Sequence, residues 1–155
     1  MGLVMFYHLT RTGPNATLQT LLQRGLAAGW RVMIRGGDAA ALDRLDVRLW
    51  LEPEDGFLPH GREGGPHDAD QPVLLGQGLP VNGAQALALI DGADVAVDEA
   101  RGMERVWAIF DGADQEAVAA ARGLWTRLTE GGVAAQYWSE ESGRWEKKAE
   151  KLPAV

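Results

Sequence analysis

Two histidines and two aspartates that could bind a metal ion or transfer a proton lie close together in the middle of the chain. Imidazole nitrogens and carboxylate oxygens suit a hard or borderline cation, so this group is the best candidate for a metal or acid–base site. Its spacing matches no helical pair, however, and Asp-x-Asp in a segment rich in Pro and Gly commonly makes a turn. We therefore expect these residues to be structural and retain a small metal-dependent hydrolase as the alternative function. They are His60, His67, Asp68 and Asp70.

Other catalytic motifs are missing from the sequence. It contains no nucleophile elbow, no Cys/His pair and no H-E-x-x-H. The turn Gly36-Gly37-Asp38 lies between a predicted strand and a predicted helix, but it lacks the spacing of a phosphate-binding loop, and its carboxylate would repel a phosphate. We expect no catalytic site, no metal and no cofactor. A nucleotide-binding regulator is a weaker alternative.

A predicted helix from Asp114 to about Glu130 places a cation beside a large aromatic side chain. At about 100° per residue, Arg122 and Trp125 are neighbours on one flank of this helix. A cation beside an apolar shelf suits a peptide that ends in a hydrophobic residue with a free carboxylate. The alternative is that Arg122 is a solvated charge and Trp125 the edge of the core. The core-facing stripe is predicted to be Ala117, Ala121, Leu124 and Leu128, and the flank also includes Val118 and Thr129.

The energy of such an interaction is limited. Burying the terminal side chain of the peptide contributes ~1.5–3 kcal/mol, and a charge-assisted hydrogen bond from Arg122 adds ~1.5–3 kcal/mol. A micromolar complex requires roughly 8 kcal/mol. A partner of this kind must therefore make further contacts with the chain.

The segment from Trp50 to Gly61 is a second candidate surface. It follows a predicted helix from Asp38 to about Leu49 and carries Trp50 and Phe57 among Pro and Gly residues. Loops usually lie on the surface, where bulky aromatics have no folding role, and interfaces favour aromatic residues. The alternative is a segment that folds back over the core.

Composition excludes several classes of protein. The chain has 155 residues, which we interpret as one domain over residues 1–155, and it has no cysteine, so disulfides and thiolate metal sites are excluded. Its first residues have no basic leader and no long apolar run, so we expect a cytoplasmic protein with no membrane partner. The net charge of −7 argues against strong direct binding of nucleic acid but not against a protein partner.

Apolar periodicity predicts strands alternating with helices. This pattern indicates an α/β fold with three layers, α/β/α, around a mostly parallel sheet, ending in a hairpin. A first helix is predicted around Leu18 to Ala27, capped by Asn15 or Thr17. The predicted strands are Leu3 to Leu9, Trp30 to Arg35, Pro72 to Leu75, Ala84 to Ile90 and Arg105 to Phe110, and the predicted hairpin joins Ala134 to Trp138 with Arg144 to Lys147.

Five short motifs follow one another along the chain. They are Phe6-Tyr7-His8-Leu9, Trp30-Arg31-Val32-Met33-Ile34, Leu45-Asp46-x-x-Leu49-Trp50, Phe57-Leu58-Pro59-His60 and Asp70-Gln71-Pro72-Val73. In this order and spacing the chain resembles the chi subunit of bacterial DNA polymerase III. The likeness spans nearly the whole chain, and the C-terminal motifs Ala134 to Trp138 and Gly143 to Lys148 are compatible with it.

This resemblance implies a non-catalytic replication adaptor. Chi links the clamp loader to single-stranded DNA-binding protein (SSB) by holding the acidic, Phe-terminated C-terminal tail of SSB. By resemblance, Arg122 receives the tail carboxylate, Val118 and Trp125 line the pocket, and Thr126 belongs to the same site. A second surface, for a psi subunit or a helicase, maps to the segment with Trp50, Phe57, Leu58 and Pro59.

In one respect the sequence departs from the family pattern. Family members can carry extra lysines on the tail-binding helix, whereas the apparently matching positions here are Val118 and Thr126. Arg122 therefore has to contribute more of the tail binding.

Overall fold

Buried apolar runs form the strands at the centre of one sheet. The computed structural model describes residues 2–51 and 58–153. The strands are β1 (Leu3–Leu9), β2 (Val32–Gly36), β3 (Gly61–Arg62), β4 (Val73–Gly76), β5 (Ala86–Ile90), β6 (Arg105–Asp111), β7 (Ala134–Ser139) and β8 (Glu146–Lys151). Every residue of β2 and β4 is buried, as expected for strands that are covered on both faces.

The eight strands have the order β3-β4-β2-β5-β6-β1-β7-β8. All neighbouring strands are parallel except β7 and β8, which form an antiparallel hairpin. The chain leaves β1 and β2 toward the β3 edge of the sheet, and it leaves β5 and β6 toward the β8 edge. Since crossovers between parallel strands are right-handed, these two sets of connections lie on opposite faces.

Helices cover both faces of the sheet. One face carries α1 (Pro14–Ala27) and α2 (Ala39–Leu51), and the other carries α3 (Val97–Gly102) and α4 (Gln115–Glu130). A 3-10 turn, Asp68–Asp70, lies between β3 and β4. Among the helices of the described residues, none combines the length and the apolar character that crossing a membrane requires.

Alternation along each strand divides the core into two layers. In β1, Tyr7 and Leu9 pack with the α1 and α2 side, whereas Val4 and Phe6 pack with the α3 and α4 side. Successive side chains of a strand point to opposite faces, so one strand serves both layers. The candidate site lies on the α4 side.

The structure confirms the predicted fold class, including the C-terminal hairpin. β1 has the predicted bounds, and α4 follows the predicted cap at Asp114. Trp50, however, lies in the last turn of α2 and not on a loop after it. The reason is that the first helix-breaking residue after Leu49 is Pro53, so the helix can continue past the end of its apolar stripe.

Three local features differ from the prediction. β3 and α3 are 2 and 6 residues long, too short for an apolar period to indicate them. α1 begins at Pro14 with Gly13 before it, and no side chain caps it, although Asn15 or Thr17 was predicted to do so. Proline at the first helical position has the right φ and no N–H that needs a partner.

The carboxylate of Glu140 joins the end of β7 to the segment after β1. It accepts hydrogen bonds from the backbone N–H groups of Thr10, Arg11 and Thr12, and from the Thr12 hydroxyl at 2.6 Å. Only 4% of Glu140 is exposed. Burial raises the pKa of this carboxyl group, but the hydrogen bonds outweigh burial and lower the pKa to about 2. An ionised carboxylate therefore holds these two segments together.

We predict that this interaction is lost in acid. Because the pKa of Glu140 falls from 4.5 to about 2 on folding, its contribution is complete above about pH 4.5 and disappears as the pH falls toward 2. We expect a contribution of about 2–3 kcal/mol near neutral pH, since each unit of pKa shift corresponds to about 1.4 kcal/mol. Urea unfolding as a function of pH should show Glu140→Gln less stable than wild type, with a gap that closes in acid. A gap independent of pH would contradict this assignment.

Candidate functional site

A cap and a narrow apolar stripe position helix α4. The Asp114 carboxylate accepts hydrogen bonds from the backbone N–H groups of Glu116 at 3.0 Å and Ala117 at 3.3 Å. These donors have no partner inside the helix, so the cap stabilises its first turn. Ala121 and Leu128 are buried on the sheet side. Because Ala121 and Leu128 face the sheet, the adjoining flank of α4, which carries Arg122 and Trp125, lies at the boundary with solvent.

Arg122 is an exposed cation on this flank. Within residues 2–51 and 58–153, no carboxylate pairs with its guanidinium. Burial raises the pKa of the Tyr137 hydroxyl, the charge of Arg122 partly offsets that increase, and the charge of Glu141 adds to it, so both charged groups lie within electrostatic range of Tyr137. Arg127, by contrast, projects from another side of α4 and pairs with Asp94. Arg122 is thus available to an anionic partner.

Four half-buried rings form a shelf beside Arg122. This aromatic shelf consists of Trp125, Tyr137, Phe110 and His8. The ring centroid of Tyr137 lies 6.2 Å from that of Trp125 and 5.9 Å from those of Phe110 and His8. His8 Nδ1 lies 2.8 Å from the Tyr137 hydroxyl oxygen, which orients the phenol ring. Each ring is supported by the core and keeps an accessible edge, as a shelf for an apolar side chain requires.

The structure places all four predicted tail-site residues on the outward side of α4. Val118 and Trp125 are half-buried, whereas Arg122 and Thr126 are exposed. The Thr126 hydroxyl donates to the backbone carbonyl of Arg122 at 3.1 Å. Trp125 also packs on buried Phe6, with ring centroids 5.5 Å apart, so it is both an edge of the core and part of the shelf. Arg122 is the exposed charge expected from the helical spacing.

Sequence reasoning did not identify Tyr137 and Phe110 as parts of this site. They lie in β7 and β6, and only the strand order brings them next to α4. Periodicity predicts Tyr137 only as a residue of the hairpin and His8 only as a residue of the first strand. In the structure His8 is half-buried and forms a hydrogen bond with Tyr137. The usable signal was that Tyr137 and His8, two aromatic residues with polar tips, lie in strands, where such tips usually have a hydrogen-bond partner.

The structure describes only part of the second predicted surface, the one with Trp50, Phe57, Leu58 and Pro59. Trp50 is 50% exposed, and its ring lies 4.1 Å from the ring of His60, centroid to centroid. Leu58 is half-buried against the core, and Pro59 is half-buried. Phe57 lies outside the described residues. Leu58 therefore belongs more to the fold than to an open surface.

An apolar patch at the end of α2 surrounds Trp50. Val47 is 57% exposed and Leu51 is 66% exposed. Residues 47, 50 and 51 share one side of a helix, since they are spaced by three and four positions. Sequence reasoning identified Trp50 but missed Val47 and Leu51, although their helical spacing was a usable signal. We call these three residues the α2 patch.

The four candidate metal or acid–base residues have separate structural surroundings. His60 is buried, and its Nδ1 and Nε2 lie 2.6 Å and 2.9 Å from the backbone oxygens of Leu58 and Asp46. Asp68 accepts hydrogen bonds from two backbone N–H groups of the preceding turn. His67 and Asp70 are exposed. In the part of the chain that the structure describes, no three His, Cys, Asp or Glu residues are arranged to hold a metal ion.

A cavity of about 690 Å³ lies at the carboxyl ends of the strands, between the first turns of α1, α2 and α4. In α/β folds this edge commonly binds nucleotides. Its lining includes two arginines, Arg44 and Arg48, and the carboxylates of Asp38, Asp91, Asp111, Asp114 and Glu116. Burial and the charge of Asp38 raise the pKa of Asp91, and the charge of Arg44 partly offsets that increase. Because carboxylates outnumber arginines, the lining as a whole disfavours a phosphate group.

Comparison with known proteins gives one family. Residues 1–136 match the family described as DNA polymerase III chi subunit, HolC. The chain is also 35% identical over 83 residues to DNA polymerase III subunit chi of Pseudomonas aeruginosa. That alignment covers 52% of this chain and 57% of the relative, so the chain spans just over half the length of the curated relative it matches. The family match ends within β7, and β8 lies outside it.

We predict that the Asp114 cap supports the helix that carries the candidate site. Replacing this residue by alanine leaves two backbone donors of the first turn without a partner, so Asp114→Ala should reduce the free energy of unfolding by about 1 kcal/mol. Asp114→Asn keeps a capping oxygen and serves as the matched control. Denaturant unfolding that finds the two variants equally stable would show that the cap has no such role.

Proposed function

This chain belongs to the chi-subunit family of DNA polymerase III, and on that basis we propose that it is a non-catalytic replication adaptor. It links the clamp loader to SSB by binding the acidic C-terminal tail of SSB. The tail binds on the flank of α4, where Arg122 receives the terminal carboxylate. Val118, Trp125 and Thr126 contact the terminal residues.

The observation that carries this proposal is the exposed Arg122 beside the aromatic shelf. A guanidinium forms charge-assisted and often bidentate hydrogen bonds with a carboxylate. No carboxylate of the described chain takes this role for Arg122. The half-buried rings of Trp125 and Tyr137 next to it provide an apolar surface for a terminal aromatic side chain. One cation and one apolar shelf together match a chain end that is both hydrophobic and charged.

The overall charge of the chain supports a protein partner over direct binding of DNA. At −7 the chain repels a polyanion at long range. Screening confines that repulsion to about 8–10 Å at physiological salt, so a local cation can still attract an acidic peptide. An adaptor of this kind reaches DNA through SSB and needs no DNA surface of its own.

The α2 patch supports a second part of the proposal. Val47, Trp50 and Leu51 expose apolar side chains on one side of a helix, and interfaces are enriched in Trp. The clamp-loader side of the link, through a psi subunit or a helicase, binds here. Of the other residues predicted for this surface, half-buried Pro59 belongs to the same proposal, whereas Leu58 packs against the core and Phe57 lies outside the described residues.

We predict that Arg122→Ala weakens tail binding while the fold remains stable. Loss of one charge-assisted hydrogen bond should reduce the affinity for an acidic, Phe-terminated peptide at least about tenfold. Arg24→Ala is a suitable control, because it removes an exposed arginine from α1 on the other face of the sheet. The titration should include the same peptide with an amidated C-terminus. Wild type should bind this amidated peptide as weakly as Arg122→Ala binds the peptide with a free C-terminal carboxylate. Equal affinity of wild type and Arg122→Ala for the free peptide would refute the assignment of Arg122.

We predict that the two surfaces act independently. Trp50→Ala should reduce capture of clamp-loader subunits about tenfold or more, because a central aromatic residue often dominates an interface. It should leave tail binding unchanged, whereas Arg122→Ala should show the reverse pattern. Pull-down of clamp-loader subunits and peptide titration, performed on both variants, measure this separation. If Trp50→Ala captures clamp-loader subunits as well as wild type does, the α2 patch is not the second surface.

A further inference from the structure

The tail-binding flank of α4 provides few charges for an acidic partner. Arg122 is the cation of this flank, whereas Val118 and Thr126 are neutral. One carboxylate contact and one buried side chain reach only part of the affinity of a micromolar complex. An acidic segment upstream of the terminal carboxylate therefore needs cations from another element close to the aromatic shelf.

The β7–β8 hairpin brings such a cation to the shelf. In this antiparallel pair, Ala135 lies opposite Lys151 and Tyr137 lies opposite Ala149. Residues directly opposite each other have side chains on the same face. Ala135 is buried on the α4 side of the sheet, and Tyr137 belongs to the shelf. Lys151 therefore lies on the same face of the sheet as Tyr137, one strand away.

β8 is open on this face. Residues Lys147 to Lys151 are all exposed, so no helix covers them. The space between the flank of α4 and the outer strand β8 has Tyr137 at its floor, with the small side chain of Ala149 beside it. An extended peptide that leaves the shelf in this direction passes directly over β8.

Charges on β8 are divided between the two faces of the sheet. Lys147 lies opposite Trp138, on the α1 side, and its Nζ lies 3.1 Å from Glu150. Glu150 also accepts a hydrogen bond from Gln136, on that same side. Lys151 has no carboxylate partner within residues 2–51 and 58–153. The positive charge of Lys151 is thus not neutralised by its neighbours on the strand.

From this arrangement we propose that Lys151 of β8 binds the acidic residues that precede the terminal carboxylate of the tail. This inference rests on the proposed function of the α4 flank and extends its binding surface to a strand outside the family match. Lys148, the additional residue of the bulge between the pairs Tyr137–Ala149 and Trp138–Lys147, is paired with Glu146 at 3.4 Å, so Lys151 is the lysine of β8 whose charge is left for the tail. β8 thereby supplies the charge that the helix lacks.

Spacing indicates which residues of the tail Lys151 contacts. Diagonal neighbours on an antiparallel pair, such as Tyr137 and Lys151, are about 7–8 Å apart. An extended peptide advances about 3.3 Å per residue. If its last residue packs on Tyr137 and Trp125, acidic side chains about two to three positions upstream come within reach of Lys151.

Peptide titration with matched lysine variants tests this inference. Lys151→Gln and Lys147→Gln remove the same charge from the same strand but from opposite faces. At low ionic strength Lys151→Gln should bind an acidic, Phe-terminated peptide about two- to fivefold more weakly than wild type, and Lys147→Gln should bind it like wild type. A second peptide, with its acidic residues replaced by amides and its terminal Phe carboxylate kept, should bind both variants equally. High salt should remove the difference seen with the acidic peptide.

The outcomes separate this inference from the proposed function. If Arg122→Ala weakens binding but Lys151→Gln does not, the α4 site stands and the role of Lys151 is overturned. Equal losses for Lys151→Gln and Lys147→Gln would mean that only net charge matters, and a loss that persists with the neutral peptide would mean that Lys151 does not contact acidic residues. Failure of wild type to bind either peptide would overturn both proposals.

Discussion

The packing of Trp125 against Phe6 and Tyr137 is the contact on which the candidate site depends. Phe6 and Tyr137 are partners in the β1–β7 register, and Trp125 rests on both rings. One helix and two strands are held in a single arrangement by these contacts. Arg122 precedes Trp125 by about one helical turn, so its position follows from that of the indole. All four residues belong to regular elements, and the cation and the rings are therefore oriented before any partner binds, which reduces the entropy cost of binding.

Local concentration of charge resolves the conflict between an acidic chain and an acidic partner. The net charge is −7, and carboxylates gather around the cavity at the carboxyl ends of the strands. Around the aromatic shelf the exposed charges include Arg122 on α4, Lys151 on β8 and Glu141, and neither of the two cations has a carboxylate partner in the described residues. Because salt screens charges beyond about 8–10 Å, carboxylates farther than that from the two cations act only weakly on a peptide bound there. A protein of negative net charge can thus attract an anionic peptide at one place and repel polyanions elsewhere.

Local sequence patterns predicted the helix and the strand of this site better than they predicted which residues make up the site. The apolar stripe and the cap at Asp114 predicted α4 and its solvent-facing flank, and the apolar run from Leu3 to Leu9 predicted β1. The His60, His67, Asp68 and Asp70 group was predicted to be structural, because its spacing matches no helical pair. In the structure the backbone carbonyls of Leu58 and Asp46 engage both ring nitrogens of His60, and Asp68 caps a turn. Whether neighbouring polar residues converge depends on loop geometry, which periodicity does not describe.

By itself the sequence determined the α/β class and the order of Val118, Arg122 and Trp125 on one helical flank, because helical spacing is a property of the local backbone. Only the tertiary structure decided that Tyr137 and His8, which are 129 residues apart, share a hydrogen bond beside that flank. It likewise decided that Lys151 faces the shelf while Lys147 faces away. Strand order and register arise from long-range pairing and from the packing of both sheet faces, and a shift of one residue would move every side chain of β8 to the other face.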